Sequence, residues 1–299
     1  LVPLLAPVRL VLVERFSASR FWPLARARGV THVHYLGGIL QILLKQPAAA
    51  DDADNPVRVA WGGGCPAETW EAFERRFGVV VREDFGLTET SSIVTVNLEG
   101  KVGSVGRVLP WFDVRVVDED GRDAPPGVTG EILVGERIPG LLTRGYFQNE
   151  DATRALLRDG WLHTGDLGHL DEEGHLWFGG RKKDSVRRRG ENVSAWEVES
   201  VVNQHPDVEE SALVGVATDV GEEDLKLFVK QRAGAALHPQ ALVEWCEARM
   251  AYFQVPRYVA FVDAFPKTPT ERIRKEELSR DTSGCWDREA ERRTSEAAR

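Results

Sequence analysis

The alternation of short apolar runs with segments of helical periodicity, up to about residue 95, most constrains how this chain can fold. Runs such as VRLVLV, VRVAWGG and VVVRED have the length and β-branched content of strands, and the first of them is predicted to be a buried strand. The segment AETWEAFERRFG places Trp70, Phe73 and Phe77 at helical spacing and ends on a glycine, as an amphipathic helix does. This alternation predicts an α/β fold.

The pattern changes twice further along the chain. From about residue 100, short β-like runs separated by glycine turns, such as DVRVVDEDG and GEILVG, predict a small antiparallel, β-rich region. Beyond it, a helix, two strands suited to pairing (EESALVGVA and LKLFVKQ) and a further helix predict a compact α+β unit. We therefore expect the end of a large domain over residues 1–182, a small mobile domain over 183–282 and a polar, disordered tail over 283–299.

Composition argues against several classes of partner. The 299 residues carry a formal net charge of -9, which disfavours binding to nucleic acid or to an anionic membrane. No run in the sequence approaches the roughly 20 apolar residues that span a bilayer. Three widely spaced cysteines without a C-x-x-C pair indicate neither a disulfide framework nor a zinc site. We expect a cytoplasmic protein whose partners are small molecules.

Four short segments contain residue types suited to binding a nucleotide. Gly62–Gly64 follow a predicted strand and would let a flat ligand approach the backbone closely. In DFGLTET, a hydroxyl and a carboxylate follow a glycine turn, which suits a phosphate and its magnesium ion. Asp166 in GWLHTGDLG offers a carboxylate to both hydroxyls of a ribose. The basic segment GRKKDSVRRRG suits phosphate or a solvated surface, and each segment taken singly is also compatible with an ordinary loop or turn.

The order of these segments resembles that of the adenylate-forming superfamily of acyl-CoA synthetases, adenylation domains and luciferases. The resemblance covers roughly residues 60 to 278 and includes the glycine segment GGGCP, the aromatic-G-x-T-E motif at Phe85–Glu89, the T-G-D motif at Thr164–Asp166 and the hinge motif at Gly180–Lys183. The sequence is most similar to acyl-CoA ligases of the crotonobetaine/carnitine-CoA ligase type. The resemblance implies a large domain that binds ATP and a carboxylic acid, and a small domain that turns between two half-reactions.

The resemblance also implies a role for each matching residue. ATP or AMP would contact the glycine segment, the DFG segment and a ribose-binding pair, namely Gly62, Gly63, Gly64, Asp84, Phe85, Gly86, Asp166 and Arg181. Thr88 would contact phosphate, and Glu89 would hold Mg²⁺. The hinge would be Lys183, and Gly190 would face the pantetheine channel for CoA. The acid's site would be lined by Tyr35, Gly37 and Gly38, which precede the glycine segment.

Two departures from the family pattern bear on function. The glycine-rich phosphate loop that the family carries upstream is not found in this sequence, which begins at Leu1, so we expect a C-terminal portion of a longer enzyme, with a truly truncated domain as the alternative. The catalytic motif P-K-T-x-T-G-K reads PKTPTER here, which places Arg272 where the family has a lysine that bridges the acid's carboxylate and the α-phosphate during adenylation. A broad planar guanidinium is not a conservative replacement at a tight bridging site, and Lys275 is expected to face away.

Three functions remain open on this reading. The first is an acyl-CoA ligase that converts a carboxylic acid, ATP and CoA into acyl-CoA, AMP and pyrophosphate, with a homodimer as one possible assembly. The second is a ligase that has lost adenylation and only transfers an acyl-adenylate to CoA. The third is a non-catalytic binding remnant, against which the intact Thr88, Glu89, Asp166 and Arg181 argue.

Overall fold

The computed structural model describes residues 6–91, 93–188, 191–218, 223–268 and 272–297. The chain divides into two compact units: unit 1 comprises Leu1–Phe112 and Ile138–Thr143, and unit 2 comprises Asp113–Arg137 and Arg144–Arg299. No helix within the described ranges is long and apolar enough to cross a membrane. The predicted fold class is confirmed, because a mixed α/β, sheet-rich region is followed by a smaller C-terminal sheet with its own helices.

Unit 1 is built on a sheet of five strands. Its elements are α1 (Ala18–Arg28), β1 (His32–Leu36), α2 (Ile39–Leu44), β2 (Val59–Gly63), α3 (Ala67–Phe77), β3 (Val80–Gly86), β4 (Ile93–Val96) and β5 (Gly106–Val108). The strand order is β1-β2-β3-β4-β5, in which β1 to β3 run parallel and β3 to β5 run antiparallel. The carboxyl ends of the three parallel strands therefore lie at one edge of the sheet, where the candidate site begins.

Aromatic side chains form much of the core of unit 1. Trp22 of α1 packs on Phe77 of α3 with ring centroids 4.6 Å apart, and Phe73 lies 4.7 Å from Phe77. Trp70, Phe73 and Phe77 are all buried, as their helical spacing predicts. Helix α3 ends at Gly78, whose φ of +67° lies in the left-handed region that glycine adopts without steric cost.

The prediction that the N-terminal apolar run forms a strand is wrong for the described part of that run. Residues 8–13, VRLVLV, form neither a helix nor a strand, and Leu10 and Leu12 are largely exposed. An apolar run becomes a strand only when a neighbouring strand pairs with its backbone. None of the described strands pairs with residues 8–13. Apolar composition indicated a buried element here, but it did not specify the pairing that a strand requires.

Unit 2 contains three sheets. Its strands are β6 (Phe112–Val117, whose first residue belongs to unit 1), β7 (Gly130–Glu136), β8 (Leu157–Arg158), β9 (Trp161–Leu170), β10 (His175–Arg181), β11 (Ser185–Arg188), β12 (Glu191–Ser194), β13 (Val208–Ala217), β14 (Glu223–Gln231), β15 (Tyr258–Phe261) and β16 (Trp286–Asp287). Its helices are α4 (Glu150–Leu156), α5 (Ala195–Val202), α6 (Pro239–Glu247) and α7 (Arg288–Ala297). The strand orders are β10-β9-β7-β6 with β8 beside β9, then β11-β12, then β13-β14-β15-β16.

The predicted pairing of EESALVGVA with LKLFVKQ is confirmed. Strands β13 and β14 run antiparallel, with Val208 opposite Gln231 at one end and Ala217 opposite Glu223 at the other. Helices α5 and α6 cover this sheet through a shared apolar core that includes Val198, Leu227 and Leu242. Both sides of residue 183 belong to unit 2, and the predicted domain boundary there stays a prediction.

A chain of charges, buried at Arg188 and Asp224 and half-buried at Arg257 and Asp287, crosses the C-terminal part of unit 2. The guanidinium of Arg188 is almost fully buried, and its Nε lies 2.6 Å from Oδ1 of Asp224. The other carboxylate oxygen of Asp224 lies 3.0 Å from Arg257, which in turn forms two hydrogen bonds of 3.2 and 3.1 Å with Asp287. Arg188 also donates to the carbonyl oxygens of Phe253 and Val255. Each charge in this chain therefore contacts a charge of opposite sign.

The structure gives strand β16 and helix α7 to the segment predicted to be a disordered tail. Strand β16 pairs with β15, with Asp287 opposite Tyr258 and Trp286 opposite Val259. Arg257 fixes Asp287 through the hydrogen bonds given above, and helix α7 follows directly. The polar composition of the segment did not indicate the ion pairs of Asp287 with Arg257 and of Arg288 with Glu247, whereas Arg292 stays largely exposed.

Replacing Asp224 with asparagine is expected to lower the free energy of unfolding by about 3–5 kcal/mol, because Arg188 would remain buried without its anion. Glu209→Gln is the matched control, since Glu209 forms a 2.7 Å pair with Lys230 at the surface of the same sheet. That exposed pair is expected to contribute less than about 1 kcal/mol. Chemical unfolding followed by circular dichroism measures both effects, and equal losses in the two variants would contradict the buried network's role.

Candidate active site

In unit 1, the candidate site lies at the carboxyl ends of β1, β2 and β3. The register places Tyr35 of β1 opposite Gly62 of β2, and Gly62 opposite Glu83 of β3. The N–H of Gly37 donates to the carbonyl oxygen of Gly63 over 2.9 Å. The predicted glycine segment is thus brought together with the predicted acid-site residues by strand pairing alone. Ligands of α/β proteins bind at this edge of the sheet.

Glycine is required in this segment because the backbones lie so close together. Gly62 has a φ of +155°, and a Cβ atom there would lie 1.9 Å from the carbonyl oxygen of Tyr35. Gly64 has a φ of +94°, and a Cβ atom there would lie 3.2 Å from the Cα of Gly37. Any larger residue would push the segment away from β1. The backbone is therefore the surface that this segment can offer to a ligand.

Tyr35, which is predicted to line the acid's site, differs in burial from Gly37 and Gly38. Its side chain is fully buried in the core of unit 1, and its hydroxyl group donates a hydrogen bond to Oε1 of Glu83. Gly37 and Gly38 are exposed, as residues that contact a substrate must be. The ring of Tyr35 therefore does not face an open surface, and its place in the acid's site stays a prediction.

Glu83 is a site residue that the sequence analysis missed. Its buried carboxyl group accepts hydrogen bonds from the N–H groups of Gly64 at 3.2 Å and Cys65 at 3.1 Å, in addition to that of Tyr35. Burial raises the pKa of Glu83 to about 8, although these hydrogen bonds act in the opposite direction. Strand alternation was the available signal, since Glu83 lies on the same inward face of β3 as Val81 and Phe85.

The DFGLTE segment continues from β3 into a tight turn. Phe85 is buried, and Asp84 is half-buried, which raises its pKa to about 6. The 3-10 turn at Thr88–Thr90 is held by Thr90, whose hydroxyl group accepts from the N–H of Leu87 and donates to its carbonyl oxygen. The turn leaves the predicted phosphate-binding Thr88 exposed.

Glu89 has the chemistry of a magnesium ligand. Its side chain is half-buried within unit 1, and its backbone carbonyl oxygen accepts a 2.7 Å hydrogen bond from the N–H of Thr143. Mg²⁺ prefers oxygen ligands and is commonly bound by one or two carboxylates together with substrate phosphates. A single carboxylate beside the exposed hydroxyl of Thr88 fits that donor set.

In unit 2, the predicted ribose-binding pair is brought together on neighbouring strands. Asp166 of β9 lies opposite Arg181 of β10, and Nε of Arg181 is 3.4 Å from Oδ1 of Asp166. The carboxylate of Asp166 is largely buried, whereas the guanidinium of Arg181 is partly exposed. The hydroxyl group of Thr164 accepts from the N–H of Asp166 at 3.0 Å and donates to the carbonyl oxygen of Ile132 at 2.7 Å. The T-G-D motif therefore fixes the position of its own aspartate.

The predicted hinge follows Arg181 as a 3-10 turn at Lys182–Asp184. Lys183 is exposed, and its neighbour Lys182 forms a 2.9 Å ion pair with Glu131 of β7. Burial acts to raise the pKa of Glu131, but the hydrogen bond and charge of Lys182 lower it below the usual value. Both lysines of the turn are exposed, and Lys182 is paired with the sheet through Glu131.

Just before the hinge, a glycine pair packs tightly against the start of α5. Ser194 donates a 2.7 Å hydrogen bond to the carbonyl oxygen of Gly179. Gly180 has a φ of +110°, and a Cβ atom there would lie 2.6 Å from Oγ of Ser194 and 3.2 Å from Cβ of Trp196. The backbone at the hinge motif is therefore fixed by close contact as well as by hydrogen bonding.

Residue Arg272 lies on a small hairpin. The N–H of Thr268 donates to the carbonyl oxygen of Arg272 at 2.8 Å, and the N–H of Arg272 donates to the hydroxyl oxygen of Thr268 at 3.1 Å. The side chain of Arg272 is exposed, and no acidic side chain in the described ranges forms an ion pair with it. In contrast, Lys267 pairs with Glu210 at 2.8 Å.

Lys275 is engaged in an ion pair of its own and is not free to replace the lysine that the family has at position 272. Its Nζ lies 2.6 Å from Oε1 of Glu199, a carboxylate of α5 that also accepts from the N–H of Leu213. Burial raises the pKa of Glu199, and the charge of Lys275 opposes that shift. The expectation that Lys275 does not replace the missing lysine agrees with this arrangement.

Two residues of the basic segment have other outcomes. Gly190, predicted to face the pantetheine channel, lies outside the described residues. Arg188, counted in the sequence as part of a basic surface, is buried in the ion-pair chain with Asp224. Arg187 remains an exposed cation of this segment. The number of basic residues in the segment GRKKDSVRRRG thus overestimates the positive charge that this segment presents at the surface.

Comparison with known families gives two matches. The sequence model of AMP-binding enzymes matches residues 1–147, and the model of the AMP-binding enzyme C-terminal domain matches residues 197–272. A crotonobetaine/carnitine–CoA ligase of Salmonella arizonae is 35% identical over 274 residues, which is 90% of this chain and 53% of that protein. The chain therefore spans about half the length of such relatives.

Solved structures show the same similarity. The o-succinylbenzoate CoA synthetase of Bacillus subtilis, in complex with its acyl-adenylate intermediate, superposes with a TM-score of 0.76 at 27% identity, over 89% of this chain and 54% of that chain. The same enzyme has also been solved with ATP and a magnesium ion. An ATP-bound structure of MatB from Rhodopseudomonas palustris gives a TM-score of 0.76 at 29% identity, over 89% of this chain and 53% of that chain.

The contact at Gly180 leads to a test of the hinge packing. Gly180→Ala is expected to lower the Tm markedly, because the new methyl group would collide with Ser194 and the backbone would be strained. Gly160→Ala is the control, since Gly160 also has a positive φ but has no atom within 4 Å of an added Cβ. Thermal unfolding should show partial recovery in the double variant Gly180→Ala/Ser194→Ala, and no recovery would contradict the collision with Ser194.

Proposed function

This chain belongs to the AMP-binding, adenylate-forming enzyme family, and from that premise we propose that the protein is an acyl-CoA ligase. The observation that supports this proposal best is the ordered match of the family's motifs together with the pairing of Asp166 and Arg181 on neighbouring strands. The named relatives are CoA ligases, and the neighbouring structures hold ATP, AMP or acyl-adenylates. The substrates would be a carboxylic acid, ATP and CoA.

The reaction consists of two group transfers. In the first, a carboxylate oxygen attacks the α-phosphorus of ATP, the bond from that phosphorus to the bridging oxygen breaks, and pyrophosphate leaves. In the second, the sulfur of CoA attacks the acyl carbon, the thiol proton is lost, and AMP leaves with the oxygen that joined it to the acyl group. The products are acyl-CoA, AMP and pyrophosphate.

The nucleotide would be held by residues of three segments. The backbone at Gly62–Gly64 would lie against the flat face of adenine, with Phe85 beside it. Asp166 would accept hydrogen bonds from the ribose hydroxyls, and Arg181 would support the same sugar. Thr88 would donate a hydrogen bond to phosphate from its exposed hydroxyl group.

Three further components complete the proposed site. Mg²⁺, held by Glu89, would neutralise phosphate charge when it is bound. The acid would lie against Gly37 and Gly38, where small residues leave room for it. CoA would reach the acyl group past Gly190, and Lys183 would be the pivot between the two half-reactions.

Arg272 supports a second candidate, a ligase with split function. A guanidinium that is exposed and has no described acidic partner is available to an anionic ligand, but its planar fork is too broad to bridge two anions as an ammonium does. The first half-reaction would then be slow, because the missing lysine acts in that step. The second half-reaction would not depend on this position, so acyl-adenylate would still be converted into acyl-CoA.

The assignment of Asp166 predicts a loss of nucleotide affinity. Asp166→Ala removes two hydrogen bonds to one carboxylate, so AMP should bind about tenfold more weakly or worse. Isothermal titration calorimetry of the protein with AMP measures this effect. Glu172→Ala is the control, because Glu172 is exposed in the turn between the same two strands and should leave the affinity unchanged. Equal affinity in wild type and Asp166→Ala would refute the ribose assignment.

The split-function candidate predicts a gain from restoring the family motif. Arg272→Lys, combined with Glu271→Gly, should raise acid-dependent pyrophosphate exchange by about tenfold or more, because a bridging charge in a transition state is typically worth 10²–10³ in rate. Thioester formation from synthetic acyl-adenylate and CoA, measured in parallel, should change little. If the unmodified protein already exchanges pyrophosphate at an ordinary rate, the arginine is tolerated and the split-function candidate fails.

A further inference from the structure

Three parts of unit 1 converge on the carboxyl group of Glu83. The hydroxyl group of Tyr35 approaches from β1, and the N–H groups of Gly64 and Cys65 approach from the segment that follows β2. Glu83 itself belongs to β3. One carboxyl group thus connects three neighbouring strands at the edge of the sheet where the glycine segment turns.

The glycine segment has few other means of holding its shape. Pairing between β1 and β2 ends at Leu36 and Gly63, and α3 begins at Ala67. The N–H groups of Gly64 and Cys65 therefore lie between a strand and a helix, and Cys65 is buried. A buried N–H group without an acceptor carries a large desolvation cost, so the side chain of Glu83 supplies what secondary structure does not.

The surroundings of Glu83 supply hydrogen-bond donors but no positive charge. The titratable groups that face it are Tyr35, Cys65 and Asp84, and none of them is a cation. No lysine, arginine or histidine of the described residues forms an ion pair with it. A structural ion pair is therefore not the reason for this buried carboxyl group. The hydrogen bonds that Glu83 accepts come from the hydroxyl group of Tyr35 and from two backbone N–H groups of the glycine segment.

We propose that Glu83 is a positioning residue for nucleotide binding, which holds Gly62–Cys65 in the conformation that receives adenine, with Tyr35 orienting its carboxyl group. This inference rests on the proposed function, because it assigns the glycine segment to the nucleotide. It adds a residue that contacts no substrate and that acts through the backbone. The side chain of Cys65 has no part in this role, since only its N–H group is used.

The first test measures the segment itself and needs no ligand. Amide hydrogen exchange of a peptide that covers residues 62–66 should become at least about tenfold faster in Glu83→Ala, because Gly64 and Cys65 lose their acceptor. Glu83→Gln keeps one carbonyl oxygen and should give a smaller increase. Glu71→Ala is the control, since Glu71 is exposed on α3. Unchanged exchange in Glu83→Ala would overturn the proposal.

The second test measures the effect on the nucleotide. Calorimetric titration with AMP should show binding at least about tenfold weaker in Glu83→Ala, a smaller loss in Tyr35→Phe and no change in Glu71→Ala. Faster exchange with unchanged AMP affinity would overturn the positioning role. If the wild-type protein does not bind AMP, the proposed function fails, whereas the exchange experiment still decides whether Glu83 holds the segment. If Glu83→Ala does not fold, Glu83→Gln and Tyr35→Phe replace it in both tests.

A pH profile separates this role from simple packing. The pKa of Glu83 is raised by burial to about 8 in the folded protein, from an ordinary value of 4.5. The stability that this shift confers is complete below about pH 4.5 and is lost as the pH rises to about 8. The Tm of the wild type should therefore fall more steeply between pH 5 and 8.5 than that of Glu83→Gln. Parallel profiles would contradict a titrating carboxyl group at this position.

Discussion

Both units depend on one physical rule, that a polar group removed from water must find a partner. In unit 1 the partner is Glu83, whose carboxyl group receives two backbone N–H groups and a hydroxyl group at the end of the parallel strands. In unit 2 the rule is met by charge, in the chain that joins Arg188, Asp224 and Arg257. The arrangement at Glu83 includes two N–H groups of the glycine segment, which has a proposed binding role, so satisfying buried polar groups also shapes the candidate site there.

Local sequence patterns predicted helices and strands well where residues close in sequence determine whether a side chain is buried. The spacing of Trp70, Phe73 and Phe77 and the glycine after them were sufficient to predict α3. The pairing of β13 with β14 followed from alternation and length. In the T-G-D motif, the hydroxyl group of Thr164 accepts from the N–H of Asp166, which is a contact local to the motif, although Asp166 lies within strand β9 and not in a turn.

Sequence patterns were less informative where distant residues decide the outcome. VRLVLV reads as a buried strand, but strand formation depends on a partner that composition does not reveal. Arg188 belongs to a basic run and yet is buried, because Asp224 lies 36 residues later in the sequence and within 2.6 Å in space. Glu83 escaped notice because a carboxylate in a strand suggests exposure, although its inward position was visible from the alternation of β3. The burial of Tyr35 was likewise not predictable from the sequence, because only the fold brings its hydroxyl group to Glu83.

The position of Asp287 has a consequence for how the C-terminal part of the protein is made. Arg257 joins a carboxylate at residue 224, which precedes it, and another at residue 287, which follows it. During synthesis on the ribosome, strands β13, β14 and β15 emerge before Asp287 does. Arg257 therefore has Asp224, but not yet Asp287, as a partner at that stage. The ion pair between Arg257 and Asp287 forms only when about thirty more residues have emerged. A shortened gene that stops at residue 282 would encode a sheet that lacks this ion pair.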